Sequence, residues 1–123
     1  MNPKEYKLVA VVGVSEDASK YGHRIFRDLL RMGYPVVGVN PKGGFVLGNN
    51  IYKSLSEIEK KPDLVITVVP PPATLQLVEE CNKLGLKQVW MQPGSESQAA
   101  IEKAKAYGIK TVSACFMAVK GMW

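Results

Sequence analysis

Residues 8–13 read Leu8-Val9-Ala10-Val11-Val12-Gly13, a continuous apolar run that ends at a glycine. Such a run is typical of a strand that is buried on both faces of a parallel sheet. Similar apolar runs recur at 36–39, 64–69, 88–91 and 109–112. We therefore predict a sheet of five strands.

Amphipathic segments separate these runs. Residues 21–32 place Ile25, Phe26 and Leu29 on one helical face, and Gly33 ends that helix. Further helices are predicted at about 54–60, 73–84 and 95–107. Alternating strands and helices indicate βαβ units with helices on both faces of the sheet. The predicted fold class is α/β, a single Rossmann-like, doubly wound parallel sheet with strand order 3-2-1-4-5, in one domain spanning residues 1–123.

Two of these helices are placed by capping signals. Ser54 and Glu57 have the spacing of a capping box, which predicts a short helix beginning at Ser54. Ser95 with Gln98 predicts the start of the helix at 95–107 in the same way.

The composition excludes several classes of protein. Sixteen Lys and Arg residues are scattered among 11 Asp and Glu, without the basic stripe typical of nucleic-acid binding. The polar start predicts no secretory leader, and no apolar run approaches the ~20 residues that span a bilayer. Only Cys81 and Cys115 are present, which favours a reducing, cytoplasmic location without disulfides.

The carboxyl ends of the strands are the expected ligand-binding edge of such a sheet. The loop after the first strand lacks the Gly-x-Gly-x-x-Gly fingerprint, because the next glycine after Gly13 is Gly22. The helix that begins near Tyr21 still offers free N–H groups to an anion, and Lys20 and the Ser15 and Ser19 hydroxyls could add phosphate contacts. A plain strand–helix turn is the alternative at this point.

Asn40-Pro41-Lys42 follows the second strand, where NAD enzymes place an acidic residue for the ribose diol. A lysine attracts a ribose phosphate, whereas a carboxylate repels it. We therefore expect a cationic, carboxylate-free pocket here that favours coenzyme A or NADP. Lys42 as an ordinary exposed turn residue is the alternative.

No complete catalytic set is evident. The one histidine, His23, lies on the first turn of its helix without an obvious partner, so we expect a structural or phosphate-binding role. Cys81 is expected to be buried in a helix, and Cys115 to lie on the ligand side of the sheet. No metal-ligand spacing is present. Trp90 and Phe116 are expected to pack in the protein, and Trp123 to dock from the tail.

Several motifs occur together along the chain. They are Val11-Val12-Gly13-Val14-Ser15, Val39-Asn40-Pro41-Lys42, Leu47-Gly48 leading to Tyr52-x-Ser54-Leu55, Val68-Val69-Pro70 and Trp90-Met91-Gln92-Pro93-Gly94. With them, the chain resembles the small stand-alone CoA-binding domain proteins. It is similar, more distantly, to the CoA-binding domain of the succinyl-CoA synthetase α subunit.

The resemblance implies a role for each motif. The first loop would hold the diphosphate, the Asn-Pro-Lys motif would flank the adenine and the 3′-phosphorylated ribose, residues 69–70 would border the adenosine, and residues 92–94 would lie along the pantetheine arm. The implied cofactor-binding residues are Gly13, Val14, Ser15, Lys20, Tyr21, Asn40, Pro41, Lys42, Val69, Pro70, Gln92, Pro93 and Gly94.

The sequence departs from the family pattern in two places. Glu16 and Asp17 put acid into the phosphate loop, and residues 116–119 replace the Cys-x-x-x-Glu-His ending of many relatives. The leading hypothesis is a module that binds CoA or acyl-CoA as a carrier, sensor or partner subunit, without a complete catalytic set. A small NADP-dependent oxidoreductase and an interaction protein with a vestigial site are the alternatives. Partners are expected to exclude nucleic acid and membrane, with a homo-oligomer left open.

Overall fold

The apolar run at the start of the chain forms β1 (Val9–Val12), which is hydrogen-bonded to a parallel strand on each side. The computed structural model describes residues 5–123. Val9 and Val11 pack into the core on one face of the sheet, while Ala10 and Val12 pack into the core on the other. Burial of both faces explains why the run has no polar alternation.

The other elements follow in the predicted alternation. They are α1 (Tyr21–Arg31), β2 (Val36–Val39), β3 (Phe45–Val46), β4 (Asn49–Asn50), a 3₁₀ turn (Leu55–Glu57), β5 (Leu64–Thr67), α2 (Pro71–Leu84), β6 (Gln88–Met91), α3 (Gln98–Tyr107), β7 (Lys110–Ser113) and α4 (Phe116–Val119). The short strands β3 and β4 form an antiparallel hairpin outside the main sheet.

The five parallel strands confirm the α/β, Rossmann-like class, but the predicted strand order is wrong. The observed order is β2-β1-β5-β6-β7, which is 2-1-3-4-5 when the parallel strands are counted along the chain. All four residues of β5 are fully buried, so this strand needs a neighbour on each side. β2 is only half-buried over its first two residues and takes the edge instead. The crossover from β2 therefore passes β1, and the switch point lies between β1 and β5.

Both capping predictions are wrong. The Glu57 carboxylate accepts a hydrogen bond from the Lys53 N–H at 2.8 Å, Ser54 makes no side-chain cap, and only a three-residue 3₁₀ turn forms. The helix after β6 is capped by Ser97, whose hydroxyl accepts from the Ala100 N–H at 3.2 Å. Ser95 is buried among polar partners at the end of the sheet.

Two glycines allow the loop after β1 to pass close to its neighbours. Gly13 has a φ of 109°, and a Cβ there would overlap the carbonyl oxygen of Val68, just past β5. A Cβ at Gly22, on the first turn of α1, would overlap the carbonyl oxygen of Gly13. Gly22 thus permits the close helix–strand packing that the last glycine of a dinucleotide fingerprint provides.

The chain beyond β7 packs on the α1 side of the sheet. Phe116 is fully buried, with its ring centroid 5.0 Å from that of Trp90 in an edge-to-face arrangement. Lys120 pairs with Glu5 at 2.9 Å and lies near the rings of Tyr6 and Phe116. Trp90 and Phe116 therefore pack in the core, as expected.

The close approach at Gly22 predicts whether an alanine there stabilises or destabilises the protein. Alanine normally stabilises a helix by up to about 1 kcal/mol relative to glycine. Gly22→Ala should instead destabilise the protein by about 1–3 kcal/mol, because the new methyl group overlaps backbone. Ala99→Gly is the matched control, since Ala99 is exposed at the same position of α3, and it should lose about 1 kcal/mol or less. Chemical denaturation measures both, and a stabilised Gly22→Ala variant would contradict the close approach.

Candidate functional site

The structure brings the residues singled out above to one edge of the sheet. They follow the carboxyl ends of β1, β2, β5 and β6 or lie at the start of α1. Three hollows open along this edge, which we name the loop hollow, the central hollow and the outer hollow. Val69 lines both the central and the outer hollow, so its side chain is the ridge between them.

The loop hollow, of about 280 Å³, lies between the loop after β1 and the turn after β2. Its lining residues are Val14, Ser15, Glu16, Asp17, Asn40, Lys42, Gly43 and Val46. Asn40 joins the two segments, because its Nδ2 donates to the Val14 carbonyl oxygen at 2.8 Å and its Oδ1 accepts from the Lys42 N–H at 2.9 Å. The Asn40 side chain therefore shapes this hollow through contacts within the protein.

The expectation of a carboxylate-free pocket is wrong, since Glu16 and Asp17 line the same hollow as Lys42. The Asp17 carboxylate accepts hydrogen bonds from the Ser19 hydroxyl at 2.7 Å and the Ser19 N–H at 2.9 Å, and these bonds lower its pKa. Asp17 thus fixes the approach to α1, and the Ser19 hydroxyl proton is committed to it. Glu16 lies against Gly44.

The start of α1 keeps its backbone donors. Lys20 is the exposed N-cap residue, and no side-chain hydrogen bond caps the helix. The first N–H groups of a helix lack intrahelical acceptors, so they can donate to an anion. His23 is buried, and its Nδ1 donates to the Ser15 carbonyl oxygen at 2.8 Å. This hydrogen bond fixes the loop after β1 to α1.

The central hollow, of about 190 Å³, lies between the ends of β1 and β2 and the first half of α2. Its walls are mostly apolar, with four polar side chains; the lining residues are Val12, Val39, Pro41, Lys53, Ser54, Val69, Ala73, Gln76, Leu77 and Glu80. The residues predicted from the sequence do not include Lys53, Gln76 or Glu80. A signal for the two helical residues exists, because Ala73, Gln76 and Glu80 follow one helical face.

Lys53 adds a second cation near the turn after β2. Its side-chain carbons lie 3.3 Å from the position that a Cβ on Gly43 would occupy. The stem of Lys53 therefore crosses Gly43, directly beside Lys42 in the chain. The hairpin between β2 and β5 creates this proximity, which no spacing in the sequence indicates.

The outer hollow, of about 410 Å³, is lined by Val68, Val69, Pro70, Pro71, Pro93, Gly94 and Ser95. A buried polar network holds its wall in place. The Ser95 and Thr67 hydroxyls lie 2.8 Å apart, and the Thr74 hydroxyl donates to the Ser95 carbonyl oxygen at 2.7 Å. The turn after β6 is thereby fixed to the end of β5 and to α2.

Gln92 connects the start of α1 to the segment after β7. It is fully buried; its Nε2 donates to the Tyr21 hydroxyl at 2.7 Å, and its Oε1 accepts from the Phe116 N–H at 2.6 Å. The Tyr21 hydroxyl donates in turn to the Cys115 sulfur at 3.2 Å. Gln92 therefore positions Tyr21 and Cys115, while Pro93 and Gly94 provide the exposed surface of the turn.

The two cysteines differ in ionisation. Burial raises the pKa of Cys81 to about 12, so this thiol is inert in the core. Burial also opposes ionisation of Cys115, but hydrogen bonds from Tyr21, from the Ala118 N–H and from Gln92 outweigh it and lower the pKa. Burial and the bond to Cys115 raise the pKa of Tyr21 to about 12.

Trp123 docks against the start of α1, as expected from the sequence. Its ring lies 5.6 Å from that of Tyr21 and 4.9 Å from the Arg24 guanidinium, and its Nε1 donates to Asp28 at 2.8 Å. Within residues 5–123, no group of three metal-ligating side chains comes together. No helix in that range is long and apolar enough to cross a membrane.

Comparison with known proteins gives consistent results. The chain is 33% identical over 116 residues to an ADP-forming acetate–CoA ligase I of Archaeoglobus fulgidus, covering 86% of this chain and 17% of that protein. It is 34% identical over 125 residues to the α subunit of an ADP-forming acetate–CoA ligase I of Pyrococcus furiosus, covering 89% and 26%. The chain thus spans about a quarter or less of these curated relatives.

Solved structures show the same fold. A hypothetical protein from Pyrococcus horikoshii superimposes with a TM-score of 0.88 at 35% identity, over 94% of this chain and 82% of that one. The CoA binding domain family matches residues 7–121. This chain is therefore a member of the CoA binding domain family, with the Rossmann-like fold that the resemblance implied.

Proposed function

We propose that this protein binds coenzyme A or an acyl-CoA along the carboxyl ends of its strands, as a carrier, sensor or partner module. The observation that carries the proposal is the row of three adjoining hollows in a chain of this family. CoA combines a phosphorylated adenosine, a diphosphate and a pantetheine arm. The loop hollow is lined by polar side chains, the central hollow is a mostly apolar slot, and the outer hollow is an open apolar groove.

The assignment of parts follows the chemistry of the walls. The apolar central hollow suits the adenine ring, with Pro41 and Val69 on its sides. Lys42 and Lys53 flank Gly43 and suit the 3′-phosphate. The diphosphate would meet the backbone N–H groups at the start of α1, near Gly13, Ser15 and Tyr21.

The pantetheine arm would leave this region over Val69 and Pro70 and enter the outer hollow beside Pro93 and Gly94. The hydrogen bond between Asn40 and Val14 would fix the wall of the loop hollow. A single domain over residues 1–123 and a cytoplasmic location, consistent with the two free thiols, belong to the same proposal.

A role in a larger ligase reaction rests on the named relatives, whose lengths this chain only partly spans. A complete reaction of that kind is proposed to need a partner, because the chain covers only about a quarter or less of those ligases. The partner subunit and any homo-oligomer are proposals of the same kind.

Ligand discrimination tests the proposal against its alternatives. CoA or acetyl-CoA at about 100 times its dissociation constant should stabilise the protein by roughly 2.7 kcal/mol, whereas NAD should not. Thermal unfolding with CoA, acetyl-CoA, NADP and NAD measures this. Stabilisation by NADP alone would favour the oxidoreductase alternative, and stabilisation by none of them would favour a vestigial site.

The two lysines predict a dependence on the 3′-phosphate. Lys42→Glu should weaken CoA binding by about tenfold or more, because it replaces attraction by repulsion. Binding of dephospho-CoA should change by less than about threefold. Lys87→Glu is the control, since Lys87 is exposed at the opposite end of the sheet and changes the net charge equally. Isothermal titration with both ligands measures the effect. An equal loss of affinity for both ligands would contradict the assignment of the 3′-phosphate to Lys42.

A further inference from the structure

The floor of the central hollow carries two polar side chains on an otherwise apolar helical face. Gln76 and Glu80 are one turn apart on α2, and Ala73 and Leu77 line the same hollow beside them. An apolar slot orients a flat ring, and its few polar groups then decide which ring is accepted. The identity of these two side chains therefore matters for specificity.

Glu80 is held in place by the protein. One of its carboxylate oxygens accepts a hydrogen bond from the Ser56 N–H at 3.3 Å, which ties it to the 3₁₀ turn. No salt bridge to Glu80 forms within residues 5–123. Glu80 also lines the central hollow, so its second carboxylate oxygen is an acceptor available there.

This acceptor distinguishes purines by their substituent at position 6. Adenine presents an amino group there, which donates hydrogen bonds, whereas hypoxanthine and guanine present an oxygen, which only accepts. The Gln76 amide can both donate and accept, so it tolerates either ring. Discrimination between the rings has to come from Glu80.

We propose that Glu80 is the specificity-determining residue of this site and selects a 6-aminopurine by accepting a hydrogen bond from its exocyclic amino group. The inference rests on the proposed function, because it assigns the base of the bound nucleotide to the central hollow. Beyond CoA binding, it names the residue that recognises the base and the type of purine that is accepted. A 6-oxopurine in the same hollow would face a carboxylate with its own acceptor.

The experiment compares CoA with its deaminated analogue, in which hypoxanthine replaces adenine, by isothermal titration. The unsubstituted protein should bind CoA about 10- to 100-fold more tightly than the analogue, as expected for a well-placed base contact. Glu80→Gln should bring the two affinities to within about threefold of each other, because an amide can donate to the oxygen. It retains a carbonyl oxygen for the Ser56 N–H, so the turn should stay in place.

Glu79→Gln is the matched control. This substitution changes the charge equally, one residue away. Glu79 pairs with Lys103 at 3.3 Å and lies near Tyr107, away from the hollow. This variant should keep the full preference for CoA. A loss of preference in both variants would attribute the effect to net charge and overturn the proposal.

A modified ligand tests the same contact without relying on one variant. In 1,N6-etheno-CoA the amino group is closed into a third ring and no longer donates. The unsubstituted protein should bind this ligand at least about tenfold more weakly than CoA. Equal binding of CoA, deaminated CoA and etheno-CoA would overturn the role of Glu80 and leave CoA binding itself intact. Failure to bind CoA at all would overturn the proposed function as well.

Discussion

The site depends on the close backbone contact between the loop after β1 and the end of β5. Gly13 passes against the Val68 carbonyl, and Gly22 lets α1 approach Gly13 just as closely. A side chain at Gly13 would push the end of β1 away from the end of β5, and a side chain at Gly22 would push α1 away from Gly13. Because the contact is so close, the start of α1, the Val69 ridge and the turn after β2 converge on one edge. The hollows follow from this constraint on the backbone.

Most polar side chains at that edge serve the protein itself. Asn40 joins two loops, Gln92 positions Tyr21 and Cys115, and Thr67 with Ser95 secures the outer wall. Satisfied buried polar groups make a site rigid before any ligand arrives. The groups left for a ligand are two lysines, the free N–H groups of α1, the Gln76 and Glu80 side chains of the central hollow, and apolar walls. This division suits a long, anionic nucleotide cofactor.

The sequence predicted the elements better than their arrangement. Apolar runs identified the strands of the main sheet, but their order depends on which strand is most buried, and local patterns do not contain that information. Ser97, not Ser95, caps α3, because Ser95 finds partners across the sheet. The pocket beside β2 contains Glu16 and Asp17, and the Lys53 stem lies against Gly43, through loops that meet only in the folded chain. Glu80 shares a helical face with Ala73 and Gln76, but the sequence does not say that this face meets the ends of β1 and β2.

Backbone amide chemical shifts during a CoA titration test the central claim most directly. The account predicts shifts at residues 13–22, 40–54, 68–80 and 92–95, all at the carboxyl ends of the strands or on the facing side of α2. Amides at the opposite end, such as those of Tyr34 and Lys87, should not move. Shifts concentrated at that opposite end, or no shifts at saturating CoA, would contradict it.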